Sequence, residues 1–108
     1  MIARIWQGWT TLDDADAYEH LLYTHVLPGI EAMALPGFLG IDVLRRNAGD
    51  EVSFMTIMRF VSEAHISAFV GPDATVAHVP AAAQALLKRF DSHARHYEIR
   101  QTRHYGGD

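Results

Sequence analysis

Cysteine is absent from the 108-residue sequence. Its absence excludes disulfides, thiolate catalysis, and zinc or iron–sulfur sites that need cysteine ligands. A chain without cysteine also suits the reducing cytoplasm, where disulfides are rare. We therefore predict a cytoplasmic protein.

Positive charge is scarce as well. Lys88 is the only lysine, and 9 Lys and Arg residues against 13 Asp and Glu residues give a formal net charge of -4. No basic stripe is available to neutralise phosphates, so we expect no nucleic-acid partner. No apolar run approaches the roughly 20 residues that span a bilayer. The opening MIARIW is expected to begin a strand rather than a signal peptide, so we expect no membrane partner.

Recognisable catalytic and metal-binding motifs are also lacking. The 7 histidines form no HxH or HExxH pattern and no histidine–carboxylate spacing of a metal site, so we predict no metal centre. A Ser–His–Asp order, a glycine-rich phosphate loop and a nucleophile elbow are missing too. These absences disfavour hydrolase and nucleotide-dependent activities.

The most informative segment that is present is EVSFMTIMRF, residues 51–60. Alternate side chains of a strand point to opposite faces, and this strand is apolar on both. One face carries Val52, Phe54, Met58 and Phe60, and the other carries Met55 and Ile57. The helices of so short a chain can cover one face of a small sheet. The simplest cover for the other is a second copy of the sheet, so we predict a homodimer through the sheet face.

The remaining patterns predict strands over residues 2–9, 38–46 and 92–103 in addition to 51–60. Helices are expected over residues 13–27 with a kink or restart at Pro28, over 63–70 after a Ser62 cap, over 73–78, and over 80–89. A hairpin loop is expected at residues 47–50. This order predicts a single α+β domain over residues 1–104, ferredoxin-like (βαββαβ) with a four-stranded antiparallel sheet, and a frayed tail at 105–108.

Several segments in this order and spacing resemble the antibiotic biosynthesis monooxygenase family over nearly the whole chain: MIARIW, LPGIEAM, LPGF, RRNAGDEVSF, SEAHISAFVGPD and HYEIR. The resemblance implies a dimeric α+β barrel of two ferredoxin-like sheets packed face to face. It implies either cofactor-free oxidation of polycyclic phenols by oxygen or the binding and degradation of haem. Since many members have no known reaction, a non-catalytic dimer that binds a small molecule is a further alternative.

The haem-degrading members carry an Asn on the first strand, a Trp on the helix after the third strand, and an axial His. By this resemblance, Gln7 stands at the Asn position, Phe69 at the Trp position, and His78 near the position of the axial His. Two of the three residue types therefore differ. The leading prediction is an enzyme without a cofactor, and a haem-binding or haem-degrading protein with His78 as axial ligand is the alternative.

A cofactor-free oxygenase needs an apolar slot, a base for the substrate proton, and a polar group near the developing charge. Histidine suits the base because its pKa lies near working pH. His25 is one candidate, because a 3.6-residue period places it on the inward face of the first helix with Tyr18 and Leu22. His78 is the other, in a short connection over the expected mouth of the cleft. The competing structural interpretations are a buried, hydrogen-bonded His25 and a solvent-exposed His78.

The predicted substrate-binding residues are Trp6, Gln7, Phe38, Phe69 and His96. Trp6 and Gln7 are expected near the reacting oxygen, and the aromatic residues form a wall for a planar, apolar or aromatic ligand. His96 and Tyr97 are neighbours on a strand, so only one of them can face the cleft.

Two arginines leave alternatives open. Arg4 and Arg59 either point at an acidic or phenolate ligand, or lie at strand ends and pair with Glu51, Glu98 or Asp42. The sequence as a whole predicts a small monooxygenase for an aromatic or enolisable substrate, with a pocket between helices and sheet in each subunit.

Overall fold

The computed structural model describes residues 1–106, so Gly107 and Asp108 of the predicted tail lie outside the described residues. In chain order the elements are β1 Ile2–Thr11, α1 Ala15–Leu21, a π-helical turn Leu22–Val26, α2 Leu27–Ala32, β2 Phe38–Ala48, β3 Glu51–Phe60, α3 Glu63–Val70, α4 Ala81–Gln84, β4 Arg89–Phe90 and β5 Arg95–Glu98. Within residues 1–106, none of the helices is long and apolar enough to cross a membrane.

The strands form one antiparallel sheet in which β3 lies between β2 and β1. The other edge of β1 pairs with two short strands. β4 pairs with Gly8 and Trp9, and β5 pairs with the residues from Ile2 to Ile5. Together β4 and β5 take the place of the fourth ferredoxin-like strand. The predicted α+β ferredoxin-like fold is confirmed, with its last strand divided in two.

The two faces of the sheet differ in burial. Along β1, the even-numbered residues from Ile2 to Thr10 are buried and the odd-numbered residues from Ala3 to Trp9 are half-buried. The register places Met55 opposite Gln7 and Ile57 opposite Ile5. Met55 and Ile57 therefore lie on the face away from the helices, which we call the open face, as the β3 pattern predicted.

Two apolar clusters fill the space between the sheet and the helices. Tyr18 of α1 packs edge-on against Phe54 of β3, with ring centroids 4.9 Å apart. In the other cluster Phe60 contacts Ile66 of α3, and both side chains are fully buried. Burial of this apolar area is the main stabilisation of the helix layer.

The β2–β3 hairpin is tighter than predicted. β2 extends two residues into the expected loop, to Ala48, which pairs with Glu51 at the start of β3. Only Gly49 and Asp50 make the turn, and Gly49 has a φ of 73°. Two-residue hairpin turns require a positive φ at a central position, which glycine adopts without strain.

The prediction of a helix over residues 73–78 is wrong. This segment is irregular. The Val76 N–H donates to the Asp73 carbonyl at 3.2 Å, but several other backbone groups of the segment bind across the fold. The carbonyls of Ala74 and Val76 accept hydrogen bonds from Arg4, and the Ala77 N–H donates to the Ser92 carbonyl, 3.0 Å away. With these groups engaged, a helical ladder cannot form.

The last helix and the last strand are both shorter than predicted. The helix expected over residues 80–89 ends at Gln84, because the chain turns to join the sheet, where the Lys88 N–H donates to the Trp9 carbonyl at 2.7 Å. The strand expected over 92–103 pairs only from Arg95 to Glu98. Before it, the Ala94 N–H donates to the Thr75 carbonyl at 2.7 Å rather than to β1.

Ser62 holds the predicted capping position before α3, but its side chain makes no capping bond. Its hydroxyl is instead hydrogen-bonded to Nδ1 of His65, 2.8 Å away. Glu63, the first residue of α3, lies with a carboxylate oxygen 3.0 Å from Nδ1 of His96.

Candidate functional site

A mostly apolar cavity of about 40 Å³ lies between the helix-covered face of the sheet, the first helical layer, and the irregular segment before α4. Its volume corresponds to a few water molecules. The helical layer contributes Tyr18, Leu22, Val26 and Ile30. These residues recur at every fourth position, so one stripe of the helical layer faces the cavity.

The π-helical turn determines which residues of the helical layer belong to that stripe. The Leu27 N–H donates to the Leu22 carbonyl rather than to that of Tyr23, as an α-helix would require. Pro28 follows directly. It has no N–H for the carbonyl one turn earlier, so an α-helical ladder is interrupted there. The wider π-helical turn accommodates the missing hydrogen bond. It also moves the position that faces the cavity one residue further along the chain.

As a result, Val26 faces the cavity and His25 does not. His25 is exposed, and its Nδ1 lies 2.9 Å from the hydroxyl of Thr24. The prediction of an inward-facing His25 is therefore wrong, because it assumed a regular period of 3.6 residues through the π-helical turn.

His78 lies at the mouth of the cavity, in the irregular segment. Its ring centroid is 4.7 Å from that of Phe69, yet the residue as a whole is exposed, as the competing interpretation of His78 expected. Burial lowers the pKa of His78, and the positive charge of Arg4 lowers it further. At neutral pH His78 is thus a neutral imidazole with a lone pair that can take up a proton.

Trp6 and Phe69 form aromatic walls of the same cavity. The Trp6 indole N–H donates to the Asp91 carbonyl at 2.8 Å, which fixes the ring and engages its one polar group. Phe69 is buried at the inner face of α3. Trp6, Phe69 and His78 are the predicted site residues that the structure brings together at the cavity.

Like His25, the predicted residues Gln7 and Phe38 lie away from the cavity. Gln7 is on the open face, where its amide donates to the Ser53 hydroxyl at 2.6 Å. It cannot share the cavity with Trp6, since neighbouring residues of a strand point to opposite faces. Phe38 packs in the core against Phe60, with centroids 5.3 Å apart, and does not line the cavity.

Arg4 lines the cavity and is only 3% exposed. Besides the carbonyls of Ala74 and Val76, its guanidinium contacts Nε2 of His96 at 2.8 Å. Nδ1 of His96 lies 3.0 Å from a carboxylate oxygen of Glu63. Arginine can only donate, so Nε2 of His96 accepts and Nδ1 carries the proton, which it donates to Glu63.

His96 therefore lies behind the cavity lining and positions Arg4, and Tyr97 points to the opposite face and is 53% exposed. The sequence left the role of Arg4 open. A signal was nonetheless present, because Arg4 is two residues from Trp6 and must share its face. Arg59, by contrast, pairs with Asp42 on the open face at 2.8 Å, one of the partners expected for it.

Chemically, the cavity joins a neutral base, His78, to a buried cation, Arg4, across an apolar interior. A volume of about 40 Å³ is too small for an aromatic ring, so a planar ligand requires the mouth beside His78 to widen. It would then contact the rings of Trp6 and Phe69, and its acidic proton would face His78. Within residues 1–106, no group of three or more histidine or carboxylate side chains is placed to hold a metal ion.

The fold and this cavity define an α+β ferredoxin-like protein with an internal pocket, and comparison with solved structures identifies similar molecules. An antibiotic biosynthesis monooxygenase structure from Bacillus cereus superposes with a TM-score of 0.66 at 11% identity, covering 99% of this chain and 98% of the other. A variant of MhuD with two manganese protoporphyrin IX molecules bound per active site gives 0.61 at 20% identity, covering 99% and 100%.

SnoaB of Streptomyces nogalater, a cofactor-independent oxygenase, superposes with a TM-score of 0.55 at 20% identity, covering 94% of this chain and 95% of that one. No family model matches the sequence, and neither does any curated protein. The ferredoxin-like α+β fold of the single chain, as expected from the sequence resemblance, is thus confirmed, and at such low identity the comparison establishes this fold alone.

Proposed function

We propose that this protein is a small cofactor-independent monooxygenase of the antibiotic biosynthesis monooxygenase family, acting in the cytoplasm on an aromatic or enolisable substrate. The observation that carries the proposal is the neutral His78 at the mouth of an apolar cavity walled by Trp6 and Phe69. A fold shared with a cofactor-independent oxygenase supports it.

In the proposed reaction, His78 takes a proton from an acidic hydroxyl or C–H group of the substrate. The resulting anion gives one electron to oxygen, and the two radicals combine to form a carbon–oxygen bond. The protonated imidazole returns its proton to the peroxide, which loses water and leaves a carbonyl group. Since burial disfavours the charged imidazole, His78 releases the proton readily.

Haem is the alternative cofactor, and His78 at the mouth of the cavity would be its single axial ligand. A fold shared with MhuD, whose variant binds manganese protoporphyrin IX, supports this alternative. When bound, haem would supply oxygen activation.

We further propose that the protein is a homodimer formed through the open face. This face carries the half-buried Ile5, Trp9, Met55 and Ile57. Leu44 lies beside Met55 in the register and is 46% exposed. Ile5, Ile57, Met55 and Leu44 are neighbours in the strand register, and an apolar patch of this kind is typical of an interface between subunits. Trp9 lies beyond Gln7 and Ser53, with Arg89 over its ring.

The enzymatic proposal is tested by oxygen uptake with a panel of phenolic and enolisable compounds. His78→Ala is expected to lower the rate about 100-fold or more, the usual contribution of a general base. His25→Ala is the matched control and should keep the full rate, because its side chain lies outside the cavity. An undiminished rate in His78→Ala would remove this residue from the mechanism. Compounds that bind without oxygen uptake would favour a non-catalytic binding protein.

A further inference from the structure

The guanidinium of Arg4 is a buried charge without a directly bound counter-ion. Its contacts are two backbone carbonyls and the neutral His96 ring. Among residues 1–106, no carboxylate lies within ion-pair distance of it, and Glu63 reaches it only through His96. A buried cation held solely by neutral groups is costly, and a negative charge placed beside it lowers that cost.

The cavity is where such a charge can bind. Arg4 forms part of the lining, next to the Phe69 ring, whose centroid lies 5.6 Å from the guanidinium carbon. A guanidinium has more N–H donors than these three contacts use. The other cavity walls are mostly apolar, so a ligand's charge would meet Arg4 in a low-dielectric setting where the attraction is strong.

We infer that the ligand of this cavity is an oxyanion, a carboxylate or an ionised acidic hydroxyl on an aromatic scaffold, and that Arg4 binds its charged oxygen. Glu63 and His96 are positioning residues, which orient the guanidinium through the Nδ1–H of His96. The inference rests on the proposed function for the location of the ligand, and it adds the charge that the ligand must carry.

The first test compares matched ligands on the wild-type protein by isothermal titration calorimetry. 2-Naphthoate and its neutral isostere 2-naphthamide serve for the carboxylate. 4-Nitrophenol, at a pH where it is ionised, and nitrobenzene serve for the acidic hydroxyl. Each anion is expected to bind about tenfold tighter than its neutral partner, as a charge-assisted hydrogen bond provides. Preference in only one pair would identify which oxyanion the site takes.

Equal affinity within both pairs would overturn the inference while leaving an aromatic-binding cavity intact. Failure of all four compounds to bind would instead count against the proposed function. The two outcomes are therefore distinguishable without measuring activity.

Variants then assign the preference to Arg4. Arg4→Met should abolish the difference in affinity between anionic and neutral ligands. Arg4→Lys keeps the positive charge but loses the planar, forked set of N–H donors, so it should retain part of that difference. Arg59→Met is the matched control, since it removes an equal charge from the opposite face and should behave like wild type. Should Arg4→Met fail to fold, the lysine variant and the wild-type comparison still decide. An undiminished preference in a folded Arg4→Met would overturn the assignment.

Discussion

His78 experiences two environments at once, with its ring against Phe69 and part of its surface in solvent. Burial and the charge of Arg4 lower its pKa below the ordinary 6.5. We therefore expect the rate of oxygen uptake to be constant at neutral pH and to fall only below about 6.5, where His78 takes up a proton. A pH–rate profile checks this, and an acid limb with its midpoint at or above 6.5 would contradict it.

The lowered pKa of His78 also determines how the stability of the protein depends on pH. A histidine with a lowered folded-state pKa binds its proton more weakly in the folded protein than in the unfolded chain. Acid therefore favours the unfolded chain as the pH falls below 6.5. Circular dichroism over the same pH range shows whether a fall in rate comes from unfolding or from protonation of His78.

How far the site was predictable from the sequence differs between residues. Trp6 and Phe69 line the cavity because strand alternation and helix periodicity hold locally around them, whereas His78 reaches it from an irregular segment that the sequence pattern predicts to be helical. His25 was misplaced because side-chain periodicity does not reveal a π-helical turn. The role of Arg4 stayed open because its partners, the carbonyls of Ala74 and Val76, are distant in sequence and belong to the main chain.

The π-helical turn makes a testable claim about two adjacent residues. Val26→Asp should destabilise the protein by about 2 kcal/mol or more, since it places a carboxylate against the cavity wall. His25→Asp should change the free energy of unfolding by no more than about 0.5 kcal/mol, as is usual for an exposed site. Urea unfolding of both variants checks the pair. The reverse order of effects would mean a regular α-helix with His25 inside.

The strands were more predictable than the helices and connections of the second half. β3 has the predicted bounds, because alternation of apolar residues over ten positions is a strong signal. The segment 73–78 carried a capping residue typical of a helix, but tertiary hydrogen bonds from Arg4 decide its backbone conformation. The final strand divides at residues 91–94 because their backbone groups pair with the loop before α4, through the Val76–His93 bridge, which no local pattern indicates.

At the scale of the whole molecule, the sheet separates two functions. Its helix-covered face holds the cavity, and the proposed subunit interface lies on the open face. Two neighbours on β1 show this separation. Gln7 contacts Ser53 on the open face, whereas Trp6 faces the cavity. The odd-numbered positions of β1 are therefore expected to affect assembly, and the even-numbered positions ligand binding.

Three methionines in different environments test the proposed dimer: Met55 on the open face, Met33 on the surface after α2, and Met58 in the core. Wild-type protein should sediment at twice the chain mass. Met55→Asp should sediment as a folded monomer, because a charge on the open face cannot be buried against a second sheet. Met33→Asp is the matched control: Met33 follows α2, is 43% exposed, and should leave the dimer intact. Met58→Asp should unfold the chain rather than dissociate it, since Met58 is only 5% exposed within the core. A wild-type monomer, or a Met55→Asp protein that remains dimeric, would rule out packing of the two subunits through this face.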